Sequence, residues 1–174
     1  YLYYLRGLAN SNRDTVFLRR VWSLDSSRRD LSSPRQAFAD FGIVVDRYPN
    51  SRYAADARTR MAELRNTFAL GELNSGLYYL RRGAWTSAAG RANHVLETYP
   101  GSSYQADAVD MLGAAYEGMG NQDLAASARA QLTTLDANHP YLSGDWPKYG
   151  WMIRKLNPFA GEKSALTGER NATI

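Results

Sequence analysis

The sequence predicts an all-α protein: helical hairpins stacked as a short right-handed solenoid, with one long helix shared between neighbouring units. Three observations carry that expectation. A phrase occurs twice, as YPNSRYAADA at 48–57 and YPGSSYQADA at 99–108. The segment between the copies contains no proline and no loop cluster until Gly83-Ala84-Trp85. Four residues recur in one register, Gly76 with Gly113, Tyr79 with Tyr116, Gly83 with Gly120 and Ala88 with Ala125, each pair 37 positions apart. Internal periods of this length mark repeat arrays, in which each unit buries its apolar face on the next.

The first ten residues are aromatic and apolar around Gly7, and read as a helix that a neighbour approaches closely. Residues of about 11–32 break the pattern with Ser, Asn and Asp clusters and read as an insertion within a repeat. Ser33-Pro34-Arg35-Gln36 then reads as a helix start, with Ser33 as N-cap, Pro34 at the first helical position and Gln36 closing a capping box. Ala37, Phe38, Phe41, Val44 or Val45, and Tyr48 follow at helical spacing and stop at Pro49. From Asn50 or Ser51 the stripe Tyr53, Ala57, Met61, Leu64, Phe68 is succeeded by an offset stripe, Leu70, Leu73, Leu77, Leu80. One helix of roughly 30 residues, about 45 Å long, fits both stripes; two helices broken near Ala69-Leu70-Gly71 are the alternative.

Gly83 ends this segment. The helix from Trp85 to Tyr99 carries Ala88, Ala89, Ala92, Val95 and Leu96 inward, with Trp85 itself in the core. Ser102 and Gln105 repeat the capping-box spacing before Ala106, Ala108, Val109, Leu112, Ala115 and Tyr116. Gly118-Met119-Gly120 turns the chain, and Asp123 to Leu135 forms a last helix lined by Leu124, Ala125, Ala128 and Leu132. Tyr79 and Tyr116 are expected in the core by repeat position. Residues 1–136 thus form the repeat region, about two and a half units plus the insertion, and 137–174 form a tail.

Composition excludes several function classes. Among 174 residues there is no cysteine, hence no disulfide, thiolate metal site or cysteine nucleophile. No run approaches the roughly 18–20 apolar residues of a membrane span. The net charge of +4 is spread over arginine pairs such as Arg19-Arg20, Arg28-Arg29 and Arg81-Arg82. These read as solvated faces, or as contacts to an acidic partner or anionic lipid; no nucleic-acid motif accompanies them. His94 and His139 are the only histidines and have no spaced acidic or cysteine partners, so no metal site is expected. Glu63, Glu72, Asp107, Asp110 and Asp123 read as solvated helix faces. No catalytic constellation and no cofactor loop stands out. The chain opens on Tyr1-Leu2-Tyr3-Tyr4, which reads as the middle of a helix, so a preceding part is expected to be missing.

The Gly, Tyr, Gly, Ala spacing resembles the tetratricopeptide repeat, a helix–turn–helix unit of 34 residues. Small residues let paired helices approach, and Pro49 and Pro100 end the second helix of a unit. YPNSRYAADA, the long helix after it, RRGAW at 81–85 and RANHVLETYP at 91–100 further resemble the C-terminal half of the BamD family. These are tetratricopeptide lipoproteins of the bacterial outer-membrane barrel-assembly machinery. The resemblance covers about residues 1–136; the family's lipidated N-terminal cysteine and first two repeats have no counterpart here.

That resemblance implies a non-enzymatic, cofactor-free scaffold at the periplasmic face of the outer membrane, lipid-anchored in the full-length protein. Its partners would be the periplasmic domains of the barrel subunit BamA, accessory Bam lipoproteins, and unfolded outer-membrane proteins through the missing repeats. Arg91 stands at the position of the family's ion-pairing arginine and is expected to meet a partner carboxylate. Arg82 and Tyr78 extend that face, and His94 joins the partner-binding set. The rivals are a cell-division coordinator scaffold, whose arrays are more regular, and a helical accessory domain of a murein hydrolase. In the tail, Trp146, Tyr149, Trp151, Met152, Ile153, Leu156 and Phe159 cluster with Lys148, Arg154 and Lys155. The cluster would cap the last repeat, bind a partner or lie at a lipid surface; 160–174 is expected to be flexible.

Overall fold

The computed structural model describes residues 1–12, 31–139 and 142. The expected insertion falls largely on 13–30 and the tail almost wholly beyond 139, so both lie outside the described residues. Among the described residues every element is helical, as the sequence predicts: α1 (Leu2–Asn12), α2 (Ser32–Arg47), α3 (Ala54–Arg81), α4 (Trp85–Thr98), α5 (Gln105–Gly118) and α6 (Gln122–Leu135). None is long and apolar enough to cross a membrane. The stretch carrying the two offset stripes, before Gly83, is one helix of 28 residues, α3, not two. It starts at Ala54 because Asn50 and Ser51 belong to the preceding turn.

The duplicated phrase builds the same connection twice. Tyr48 and Tyr99 each end a helix, with φ/ψ of −134°/54° and −121°/52°. Their N–H groups donate to Val44 O and Val95 O, both at 3.0 Å. Ser51 and Ser102 N–H then donate to the carbonyls of Tyr48 and Tyr99. The glycine register repeats a second connection. Gly83 and Gly120 have φ of 71° and 78°, the left-handed region that disfavours any side chain. Around them Gly83 N–H bonds Leu80 O and Ala84 N–H bonds Tyr79 O, while Gly120 bonds Glu117 O and Asn121 bonds Tyr116 O. This pair of bonds is the Schellman helix stop.

The chain packs as two units, Tyr1–Phe68 and Ala69–Ile174. In the first, α1 packs on α2, and Ala37, Phe41, Val44 and Ala57 form a core flanked by Tyr4, Leu8, Tyr53, Met61 and Leu64. Gly7 lies on the Phe41 ring, where a Cβ would come within 2.7 Å of Cε1. Asp40, fully buried, accepts from Arg6 Nε at 2.8 Å and Arg6 Nη2 at 2.5 Å, and from Gln36 Nε2 at 3.1 Å. The Arg6 hydrogen bond holds this carboxyl below its ordinary value of 3.8; burial opposes it, and Gln36 and Asn10 assist.

In the second unit α4 packs on α5 and α5 on α6. Leu73, Leu77 and Leu80 of α3 are buried, as are Ala88, Ala92 and Val95 of α4 and Ala125, Ala128 and Leu132 of α6. Flanked by α4 and α6, α5 is buried continuously from Asp107 to Gly113. Gly76 admits the Met111 thioether, and Gly118 lies flat against the Trp85 indole.

Several expectations need correction. The helix predicted from Ser33 starts at Ser32 with Leu31 as N-cap, and no side chain caps it. Gln36 is turned to buried Asp40 instead. The second capping box is also not formed: Tyr104 is the N-cap of α5, again without a side-chain bond, and Ser102 is buried. A side-chain cap does form on α6, where Asn121 Oδ1 accepts from Leu124 N–H at 3.3 Å. Tyr79, Tyr116 and Trp85 are half-buried rather than core, and Leu124 is 44% exposed.

Gly7→Ala and Gly118→Ala should each lower stability by about 1–3 kcal/mol in urea unfolding, because the new methyl meets an aromatic ring. Gly90→Ala, exposed within α4 with open space at its Cβ, should instead raise it by about 0.5–1 kcal/mol. Asp40, ionised more readily folded than unfolded, stabilises the fold above pH 3.8. That contribution disappears as pH falls through the lower folded value. Acid unfolding of Asp40→Asn should therefore be less steep than that of the parent chain below about pH 4.

Candidate functional site

All four residues singled out for partner contact, Arg91, Arg82, Tyr78 and His94, lie in the second unit, and the structure links them into one strip. The last turns of α3 supply Tyr78 and Tyr79, the turn after it supplies Arg82, and α4 supplies Arg91 and His94. The Arg82 guanidinium sits 4.5 Å from the centroid of the Tyr78 ring, and Tyr78 meets Tyr79 edge-on at 5.7 Å. Tyr79 hydrogen-bonds Arg91. Arg91 Nη1 donates to Glu72 Oε2 at 2.8 Å. His94 Nε2 lies 3.8 Å from the other Glu72 oxygen, its Nδ1 lies 3.1 Å from the Thr98 hydroxyl, and its ring meets Tyr99 edge-on.

Helix spacing explains the grouping. Arg91 and His94 are three residues apart and share a face of α4, opposite the half-buried Glu72 of α3. Gly76 leaves room between the helices: a Cβ there would touch Arg91 Cβ at 3.4 Å. The Glu72 hydrogen bond, opposed by burial and aided by Tyr79, raises the Arg91 pKa above its ordinary value. Arg91 is therefore a fixed cation, held by an internal carboxylate while 43% of its side chain faces solvent. Tyr78 is 49% exposed. The strip offers cation and aromatic surface suited to a carboxylate-bearing partner.

Two sequence readings fail here. Glu72, Asp107 and Asp110 are not on solvated faces: the Glu72 side chain is 14% exposed, and Asp107 and Asp110 are buried. Each histidine does have an acidic neighbour, Glu72 for His94 and Asp107 for His139. Among the described residues no group of three potential metal ligands converges. Glu72, which organises the strip, is missed by spacing alone. It lies 19 positions before Arg91, and only the folding of α4 back along α3 brings the two side chains together.

Among the described residues, helix hairpins with repeated Schellman turns and an exposed cation–aromatic strip define an all-helical repeat structure. Residues 1–132 match the model of the YfiO outer membrane lipoprotein family, and the chain belongs to that family. The outer membrane protein assembly factor BamD of Xylella fastidiosa strain 9a5c is 67% identical over 174 residues, all of this chain and 60% of the relative. The factor of the same name from Neisseria meningitidis serogroup A is 38% identical over 146 residues, 84% of this chain and 55% of the relative. That of Vibrio cholerae is 37% identical over 120 residues, 69% of this chain and 50% of the relative. The chain thus spans between half and 60% of the length of these curated relatives. Family membership sets aside the cell-division coordinator reading.

The Arg91–Glu72 pair is surface-exposed on one side, so Arg91→Ala and Glu72→Gln should each shift stability by less than about 1 kcal/mol in urea unfolding. A larger loss would make the pair a structural strut rather than a surface device.

Proposed function

We propose that this chain is part of a non-enzymatic scaffold of the outer-membrane β-barrel assembly machinery, and that the Arg82–Tyr78–Arg91–His94 strip binds the periplasmic domains of the barrel subunit BamA. The observation that carries the reading is Arg91: a cation fixed in direction by Glu72 and Tyr79, with its outer edge open to a second carboxylate. A pre-oriented guanidinium loses little side-chain freedom on pairing. Family membership and the assembly-factor names of the relatives support the cellular setting. In that setting the full-length protein is lipid-anchored at the periplasmic face of the outer membrane. Accessory Bam lipoproteins and unfolded outer-membrane proteins are its further partners, the latter engaged through repeats outside this chain.

Arg91→Glu tests this reading in the full-length protein. Binding to the barrel subunit's periplasmic domains, measured by calorimetry, should weaken by about 2–5 kcal/mol, while the helical circular dichroism stays that of the parent. Unchanged affinity would remove Arg91 from the interface.

A further inference from the structure

The 37-position register pairs the last turns of α3 and the whole of α4 with α5 and α6, and the space between the paired helices is filled differently in each hairpin. Between α3 and α4 the stem of Arg91 passes beside Gly76, and its guanidinium reaches Glu72. Leu73, Leu77 and Leu80 of α3 are buried. In the second hairpin Ala128 stands for Arg91, Val109 for Glu72, and Asp110, Ala114 and Glu117 for the three leucines. A long stem has become a methyl group, and so has one leucine. Gly113, the counterpart of Gly76, is kept; a Cβ there would meet Ala128 Cβ only at 3.6 Å. A cavity of about 10 Å³ is left between α5 and α6. Its apolar wall includes Ala114, Ala128 and Leu132, and its polar wall is Asp110, Glu117 and Arg129.

The polar wall is one cation short. Glu117 pairs with Arg129 across the two helices, whereas Asp110, 7% exposed, keeps a buried Oδ2 that accepts no hydrogen bond. Other carboxylates of the chain are supplied with donors. Asp40 has Arg6 and Gln36. Asp56 accepts from the Tyr4 hydroxyl at 2.7 Å and from Arg60 Nε at 2.6 Å. Asp107, the counterpart of Asp56 in the second copy of the phrase, has His139 Nε2 at 3.5 Å. A buried carboxylate oxygen without a donor is costly, and a charge-assisted hydrogen bond removes that cost.

We propose that the cleft between α5 and α6 receives a lysine side chain of a partner protein, its ammonium head on Asp110 and its methylene stem along Ala114, Ala128 and Leu132. The partner supplies from outside what Arg91 supplies to the first hairpin from within, a stem beside a glycine and a cation on a carboxylate. Size and lining select the class of ligand. The cavity takes about one water-sized centre. A compact ammonium enters it head first, while a planar guanidinium is too broad. A divalent metal ion needs about six oxygen ligands, and among the described residues no group of three potential ligands converges. The last torsion of an aspartate is soft, so Oδ2 turns onto the ammonium at little cost. This site lies on helices other than those of the Arg82–Tyr78–Arg91–His94 strip. Only the naming of a protein as the source of the amine rests on the assembly reading above.

The full chain is titrated with n-butylammonium chloride, the head and stem of lysine, at pH 8. There the Asp110 carboxyl, which burial pushes up to about 7, is ionised, and the amine keeps its charge. Carbon-detected NMR should show saturable shifts of the Asp110 carboxyl and of the Gly113 and Ala128 amides. Sodium chloride and guanidinium chloride at the same concentrations should leave them in place. Asp110→Asn should weaken butylammonium binding at least about tenfold and keep the helical circular dichroism of the parent. Equal shifts with all three salts, or an unchanged affinity in Asp110→Asn, overturn the site. If Asp110→Asn does not fold, the comparison of salts on the parent chain decides alone. Carbodiimide coupling of the full-length protein in its own membranes tests the source. An amide link from Asp110 or Glu117 to a partner lysine, identified by mass, is expected. Butylammonium binding without such a link overturns the protein partner and leaves a free amine as the ligand.

Discussion

How closely two helices approach is the constraint on which the described structure rests. Gly7 lets α1 settle on Phe41, Gly76 admits Met111, and Gly118 lies against Trp85. At each contact a large side chain fills the space that a missing Cβ leaves, so packing is dense with few large residues per helix. Alanines at 37, 57, 88, 92 and 108, all fully buried, extend the same principle. Burial of the helices' remaining apolar stripes and the grouping of the exposed strip follow once these distances are set. At Gly76 the close approach has a further result, because the stem of Arg91 passes beside it and the guanidinium comes within reach of Glu72.

Much of this fold is legible in the sequence because its strongest signals are backbone signals. Glycines needing positive φ, and a Tyr-Pro phrase that ends a helix, act locally and do so identically in both copies. The two leucine-bearing stripes of α3 likewise follow from period alone. The failures share a different cause. Ser33 and Gln36 have capping-box spacing, but the buried Asp40 competes for the Gln36 amide and wins, because an under-satisfied buried carboxylate costs more than a missing cap. The carbonyls of Tyr79 and Tyr116 close the Schellman turns while their rings stay half in solvent, and the Tyr79 side chain turns to Arg91 rather than to the core.

The acidic residues show the limit of helical spacing as a guide. A polar residue every three or four positions marks a solvated face only when the helix has a solvated face. Flanked by two partners, α5 has almost none along its first two turns, and Asp107 and Asp110 go inside with Met111 and Val109. The candidate site divides along the same line. Arg91, Arg82, Tyr78 and His94 are singled out by likeness and position, and the structure brings them into one strip. The residue that joins Arg91 and His94, Glu72, becomes visible only when two helices are placed side by side.

The Tyr-Pro connection makes all its defining hydrogen bonds through the main chain, so its shape does not depend on what surrounds it. Tyr48 is 53% exposed and Tyr99 is 7% exposed, yet the backbone around them is nearly the same. Such a joint can be copied within a gene without first finding matching neighbours. Each copy keeps its register while its side chains drift towards new roles, one tyrosine to solvent and the other to the interior, one aspartate to a tyrosine hydroxyl and its sister to a histidine.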